Sequence, residues 1–342
     1  MSFLSSLLSG PARADDRLSV SLMLTYSCQL KCGYCQVLQR GSRITKKVID
    51  GAVSFLGRSA KKKLELKFFG GEPLLEFELL KYAVTQAQRR LGAKKDLQYC
   101  LVTNGIGLDA AKIAYFKGLP SQVVFSFDGG AATHAAFRSG PGGNSHYKDI
   151  SANLRLLAAS GAYFFVNVVV SPENLRALRR NLEHIAGLGV KRIQLCYNGA
   201  AFWSGPDIMR LVRTLSAFRK SPAGKKVSFL NSSGDSEPVA LKTDLIVDTD
   251  GLVYMDGAMF MEKRFPGGRR HFFIGEAAGL GRPEDVYADR REHLRRWRKV
   301  CACAEEKKVF LSSLKTGAAL GLLFRGPGKQ TAPARAADRR IF

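Results

Sequence analysis

The chain has 342 residues with 46% apolar content, and its 53 Lys and Arg outnumber 29 Asp and Glu for a net charge of +24. It is long enough for one large α/β domain plus a small addition, and a balance this basic favours an anionic partner such as nucleic acid, an acidic peptide or a membrane surface. No apolar run is long enough to span a bilayer and Met1–Gly10 lacks the basic start of a signal peptide, so seven cysteines point to a reducing cytosol rather than a disulfide framework.

Residues 1–16 read as a flexible lead-in, after which strands and helices alternate. Apolar runs predict strands at Leu18–Tyr26, Leu64–Phe69, Leu97–Val102, Val123–Phe127, Tyr163–Val170 and Arg192–Tyr197. Helical spacing predicts helices at Lys46–Arg58, Phe77–Leu91, Asp109–Lys117, Lys148–Ser160 and Ser171–Gly187. Six strands separated by helices predict parallel βαβ units, too few for a closed eight-stranded barrel. The expected fold is α/β, a partial (β/α)6 TIM-type barrel over residues 17–230 with a small C-terminal α+β extension over 231–311.

The extension opens on Ile246–Tyr254, two apolar runs around an Asp-Gly turn, a hairpin signal. A short strand is expected at His271–Ile274 and a basic helix at Val286–Val300. Residues 312–342 read as a flexible basic tail, rich from Gly317 in Gly, Ala, Pro and Arg. Basic clusters such as Arg176–Arg180 and Arg210–Lys226 fit solvated helix faces and a functional basic surface equally well.

Cys28, Cys32 and Cys35 lie within eight residues, on the loop after the first strand. Three close thiolates need positive charge. A structural zinc site normally takes four ligands in two separated pairs, and neither a nearby His nor a second pair follows here. An iron–sulfur cluster with three cysteine ligands would leave one iron open, while zinc or three unrelated thiols remain the bland alternatives.

Further polar signals close the next strands. Gly70-Gly71-Glu72-Pro73 offers two glycines that let a ligand approach the backbone and a carboxylate suited to an ammonium group, or forms a plain turn. Thr103-Asn104-Gly105 and Ser126-Phe127-Asp128-Gly129, with Arg138 beyond, end the third and fourth strands. Asn167 interrupts the apolar fifth strand and needs partners, whether core groups or a ligand. Cys100 and Cys196 fall in apolar strands and read as small buried hydrophobes.

Taken in order, the CxxxCxxC pattern with Tyr34 before its last cysteine, Gly70-Gly71-Glu72-Pro73, Thr103-Asn104-Gly105 and Ser126-Phe127-Asp128-Gly129 with Arg138 resemble the radical S-adenosylmethionine (SAM) superfamily. Within it they are similar to the peptide- and protein-modifying branch, which includes sulfatase maturases and maturases of ribosomally made peptides. The resemblance implies that Cys28, Cys32 and Cys35 bind a [4Fe–4S] cluster whose open iron takes SAM. It implies Glu72 for the SAM ammonium, Tyr34 near the adenine, and Ser126, Asn167 and Arg138 for ribose and carboxylate, with Gly70, Gly71 and Asn104 in the same pocket.

Asp248–Asp256 resembles the hairpin that opens the SPASM or twitch extension of that branch, yet Met255 and Asp256 stand where a cysteine is usual. A cluster-free extension is therefore expected. Cys301 and Cys303 are candidate hydrogen-atom donors to a substrate radical. About 17 residues precede the first strand, too few for a leader-binding domain, so recognition is expected from the C-terminal region, the basic surface or a separate leader-recognition protein. The function implied is radical modification of an acidic precursor peptide or protein with electrons from an external donor. The alternatives are modification of RNA and a non-catalytic scaffold for another maturase.

Overall fold

The computed structural model describes residues 17–232, 244–255, 257–286 and 290–325. The expected lead-in, Asp256 and residues 326–342 lie outside the described residues. The first half is built from β1 (Arg17–Met23), α1 (Lys46–Gly57), β2 (Lys63–Phe69), α2 (Phe77–Leu91), β3 (Asp96–Thr103), α3 (Ala110–Lys117), β4 (Ser121–Ser126), α4 (Ala131–Phe137) and α5 (Tyr147–Ala159). It continues through β5 (Phe164–Val170), α6 (Leu178–Gly187), β6 (Arg192–Tyr197), α7 (Gly205–Lys220) and β7 (Ser228–Phe229). The extension comprises β8 (Leu245–Val247), β9 (Leu252–Tyr254), α8 (Gly268–Phe272), β10 (Phe273–Glu276), α9 (Arg290–Val300) and α10 (Ala304–Arg325).

All ten strands join one sheet in the order β10-β9-β8-β1-β2-β3-β4-β5-β6-β7. β1 to β7 pair in parallel, and β8 adds to β1 in parallel before the hairpin reverses direction. The open, partial barrel expected from the sequence is thus present, and the extension continues its sheet.

Strand alternation sorts the two faces. Val20, Leu22, Leu66, Phe68, Tyr99, Leu101, Phe125, Val166, Val168 and Leu195 face the helices in the main core. Each such fully buried side chain contributes about 1.5–3 kcal/mol. The opposite face carries Ser19, Glu65, Gln122, Ser126, Asn167 and Cys196. Ser19 Oγ and Gln122 Nε2 donate to the two Glu65 oxygens at 2.8 and 2.9 Å, which confirms that these positions share it.

Several boundaries differ from the sequence reading. Helix α7 was hidden under the basic run: Ser204 caps it and Leu211, Leu215 and Phe218 form its buried stripe, leaving the arginines outside. Residues 312–325 are not a flexible tail. They belong to α10, where Leu314, Leu320 and Phe324 are buried and the Phe324 ring packs 5.4 Å from Phe229. Small Gly and Ala residues in that stretch signal close packing rather than disorder. The strand expected at His271 starts at Phe273, because Gly268–Phe272 forms a helical turn first. Among the described residues no helix is long and apolar enough to cross a membrane.

Candidate functional site

The loop after β1 is held from three sides. Lys31 and Gly33 donate backbone hydrogen bonds to Ser139 and Phe137 at 2.8 and 3.0 Å, tying it to the segment after α4. Gln39 Nε2 donates to the Leu30 carbonyl at 2.6 Å, and Leu30 itself is buried. Lys263, from the extension, donates to the Cys35 carbonyl at 2.8 Å. Cys28, Cys32 and Cys35 are all free and partly exposed on this fixed loop. Burial pushes the Cys28 thiol up to about 11 and raises Cys32 as well, so bare thiolates are disfavoured without added positive charge.

Glu72 is fully buried under the loop. Its Oε1 accepts from the Leu74 N–H at 3.0 Å and the Thr103 hydroxyl at 2.8 Å, and its Oε2 from the Asn104 N–H at 2.7 Å. The carboxyl braces the end of β2 to the end of β3. Burial raises it to about 7 against the pull of these donors. Asn104 Nδ2 in turn reaches Cys28 Sγ at 3.6 Å and Gln29 Oε1 at 3.3 Å.

The glycines before Glu72 also serve a purpose besides the ligand approach expected. A Cβ on Gly70 would meet the Thr25 carbonyl oxygen at 2.6 Å, and one on Gly71 the Ser27 oxygen at 2.2 Å. What approaches is the backbone leading into the cysteine loop, held by Gly71 N–H to Thr25 at 2.7 Å and Glu72 N–H to Ser27 at 2.9 Å.

Tyr34 donates its hydroxyl to Asp128 Oδ2 at 2.5 Å, and the Arg138 guanidinium donates to the same hydroxyl. Arg138 also lies 3.6 Å from Asp128, and both side chains are buried. Burial alone would lower the Arg138 guanidinium, but Tyr34, Cys32 and Asp128 outweigh it and keep the charge. Arg138 is thus engaged with Asp128 and Tyr34 rather than aimed free at a carboxylate ligand. Asp128 was quoted in the motif but not marked as a site residue. Its signal was the spacing from Arg138, which chain order alone does not convert into contact.

Ser126 and Asn167 are register partners on β4 and β5, and the buried Asn167 Oδ1 accepts no hydrogen bond among the described residues. A ligand donor would satisfy it. Cys301 packs in a separate core with Phe265, Trp297 and Val300, where burial pushes its thiol up to about 12. Cys303 is exposed, with its N–H on Glu306 at 3.1 Å. The two therefore part company: Cys301 is a packing side chain and Cys303 faces solvent. Cys100 is buried among Val124 and Phe165 as expected, whereas Cys196 is only partly buried. Among the described residues no three His, Cys, Asp or Glu side chains converge closely enough for a single metal ion.

Compared with known proteins, the family model described as the radical SAM superfamily matches residues 22–185. The radical SAM cyclopropyl synthase TigE of Paramaledivibacter caminithermalis is 23% identical over 186 residues, 49% of this chain and 38% of that protein. The PqqA peptide cyclase of Ruegeria pomeroyi is 27% identical over 176 residues, 50% of this chain and 45% of that protein. The chain therefore spans under half the length of these two curated relatives. The solved structure of native anSMEcpe with bound AdoMet and Cp18Cys peptide superposes with a TM-score of 0.72 over 88% of this chain and 95% of that one. At 18% identity that likeness is one of fold.

Proposed function

Residues 22–185 belong to the radical SAM superfamily, and from that premise we propose that the protein uses a [4Fe–4S] cluster and SAM to modify a peptide or protein substrate. The donor set fits the cluster. Three free cysteines share one anchored loop, and burial of Cys28 and Cys32 calls for added positive charge beside them, which an iron–sulfur cluster would supply. When bound, the cluster and SAM would supply one-electron radical chemistry at the substrate.

The chain's own residues hold and shield that chemistry. Cys28, Cys32 and Cys35 are the cluster ligands. Leu30, Gln39 and the Ser139 and Phe137 carbonyls fix the loop that carries them. Glu72 sets the Asn104 backbone, and Asn104 donates toward Cys28, so Glu72 acts on the site through Asn104. The Asp128–Arg138 pair holds the Tyr34 ring by its hydroxyl, and that ring would contribute to binding the adenine. The unpartnered Asn167 oxygen, beside Ser126, is the group best placed to accept from a ribose hydroxyl.

Peptide substrates are supported by the relative named as a PqqA peptide cyclase. The finer reading is maturation of a ribosomally made, acidic precursor peptide with an external electron donor, the +24 charge suiting such a substrate. The observation carrying the proposal is the anchored Cys28–Cys35 loop within the matched family region. The experiment is anaerobic reconstitution with iron and sulfide, then SAM, reductant and the peptide encoded beside the gene. Wild-type protein should yield 5′-deoxyadenosine and a mass or stereochemical change in the peptide, and a Cys28→Ala/Cys32→Ala/Cys35→Ala variant neither. Full reconstitution without SAM cleavage would refute it.

A further inference from the structure

An open groove of about 420 Å³ lies between the start of α6 and the middle of α7, away from the cysteine loop's own residues. Arg176 and Arg179 line one side and Arg210 and Arg213 the other, with Leu175 and Thr214 between them. Arg210 and Arg213 are three residues apart on one face of α7, whereas Arg176 lies in the turn just before α6 and Arg179 in its first turn. No Asp or Glu lines the groove. Among the described residues Arg179 has an ion-pair partner, Glu183 at 2.9 Å, and Arg176, Arg210 and Arg213 have none.

The fold does not need these charges there. The helices are held by Leu178, Leu182, Leu211 and Leu215 beneath, all buried in the main core. Guanidiniums lining both sides of one groove repel, and an anion between them turns that repulsion into attraction. Guanidinium groups also match carboxylates in a two-pronged geometry. The turn Leu175–Ala177 follows β5, so this side of the groove lies toward the end of the sheet at which the cysteine loop follows β1.

We propose that this groove binds a carboxylate-rich stretch of the peptide substrate, away from the residue that is modified. The proposal rests on the peptide-modifying reading above. A single-stranded nucleic acid is the weaker fit, because such sites pair basic grooves with aromatic rings for base stacking and no aromatic residue lines this one.

The test is fluorescence anisotropy on the full-length, cluster-reconstituted protein with two probes, a labelled Glu-rich peptide and a labelled oligouridylate of equal length. Arg176→Gln/Arg210→Gln/Arg213→Gln is compared with Lys47→Gln/Lys94→Gln/Arg291→Gln, an equal charge change on other exposed faces. The groove variant should bind the acidic peptide about tenfold more weakly, each lost contact being worth a factor of about two to three, with the control within about twofold of wild type. Equal losses in both variants would overturn the proposal in favour of diffuse charge attraction. A larger loss for oligouridylate than for peptide would overturn it in favour of RNA. SAM cleavage without peptide, read as 5′-deoxyadenosine, should be unchanged in the groove variant. If wild type itself cleaves no SAM, the proposed reaction fails while the anisotropy comparison still decides the groove.

Discussion

Glu72 makes a prediction that separates its brace from its charge. Its carboxyl is fully buried, accepts three hydrogen bonds, and is raised from 4.5 to about 7, with burial as the largest cause. The folded state therefore holds the proton more tightly than the unfolded chain does. The stability this contributes is fully present below pH 4.5 and is lost as pH rises through about 7, a change of about 3 kcal/mol. Glu72→Gln removes the titration. It also points an amide N–H₂ at one of the donors now facing a carboxylate oxygen, costing about 1–3 kcal/mol for the group left unpaired.

Urea unfolding of cluster-free protein should then show the Glu72→Gln variant below wild type at low pH, with the gap closing or reversing above pH 7. His134 titrates in the opposite sense. Its ring is buried, its pKa falls to about 3, and its contribution is gained as pH rises toward 6.5. That slope is common to both proteins, so their difference isolates Glu72. Parallel profiles across pH 4.5 to 7 would refute the reasoning and leave Glu72 an ionised acceptor throughout.

Arg269→Ala should destabilise the chain by about 2–4 kcal/mol in chemical denaturation, because it strips a 2.5 Å ion pair from the buried Asp248. Part of the loss should return in Asp248→Asn/Arg269→Ala, since the Asp248 carboxylate is then gone, while Glu262, 3.4 Å from Arg269, still loses its partner. Gly71→Ala should lower the melting temperature and the iron bound per chain after reconstitution, because its Cβ has no room at 2.2 Å from the Ser27 oxygen. Unchanged iron content would show that the loop backbone can shift without losing its ligands.

How much was legible in the chain follows from which signals are local. Strand six, Arg192–Tyr197, and helix Phe77–Leu91 were bounded correctly because period-two and helical patterns are written in consecutive residues. The cysteine loop and the hairpin at Ile246–Tyr254 were legible for the same reason, the hairpin helped by Gly251 with a φ of +88° in its turn. Helix α7 was missed although Ser204 and Pro206 mark its start, because its arginines masked a stripe of three buried residues. The purpose of Gly70 and Gly71 was hidden because their neighbour is backbone some 45 positions earlier in the chain. Asp128's hold on Tyr34 and Arg138 needs three segments brought together, and nothing in their separate spacings reveals the triad.

The extension is joined to the barrel by strand pairing and by one buried carboxylate. β8 pairs with β1 in register, Val20 to Leu245 through Leu22 to Val247, so the extension shares the strand that leads into the cysteine loop. Just beyond, Asp248 accepts from Tyr26 at 3.0 Å and pairs with Arg269, which also donates to Tyr26 and Tyr254 at 2.8 and 2.9 Å. Arg40, on the loop after Cys35, lies 3.8 Å from Asp248 and 3.8 Å from the centre of the Tyr26 ring. One buried carboxylate thus gathers the end of β1, the far side of the cysteine loop and the extension into a single cluster of contacts. With Lys263 on the Cys35 carbonyl, the extension grips the loop at both flanks. A change that loosens the extension should therefore be felt first at the cysteines, which ties the extension's geometry to the site.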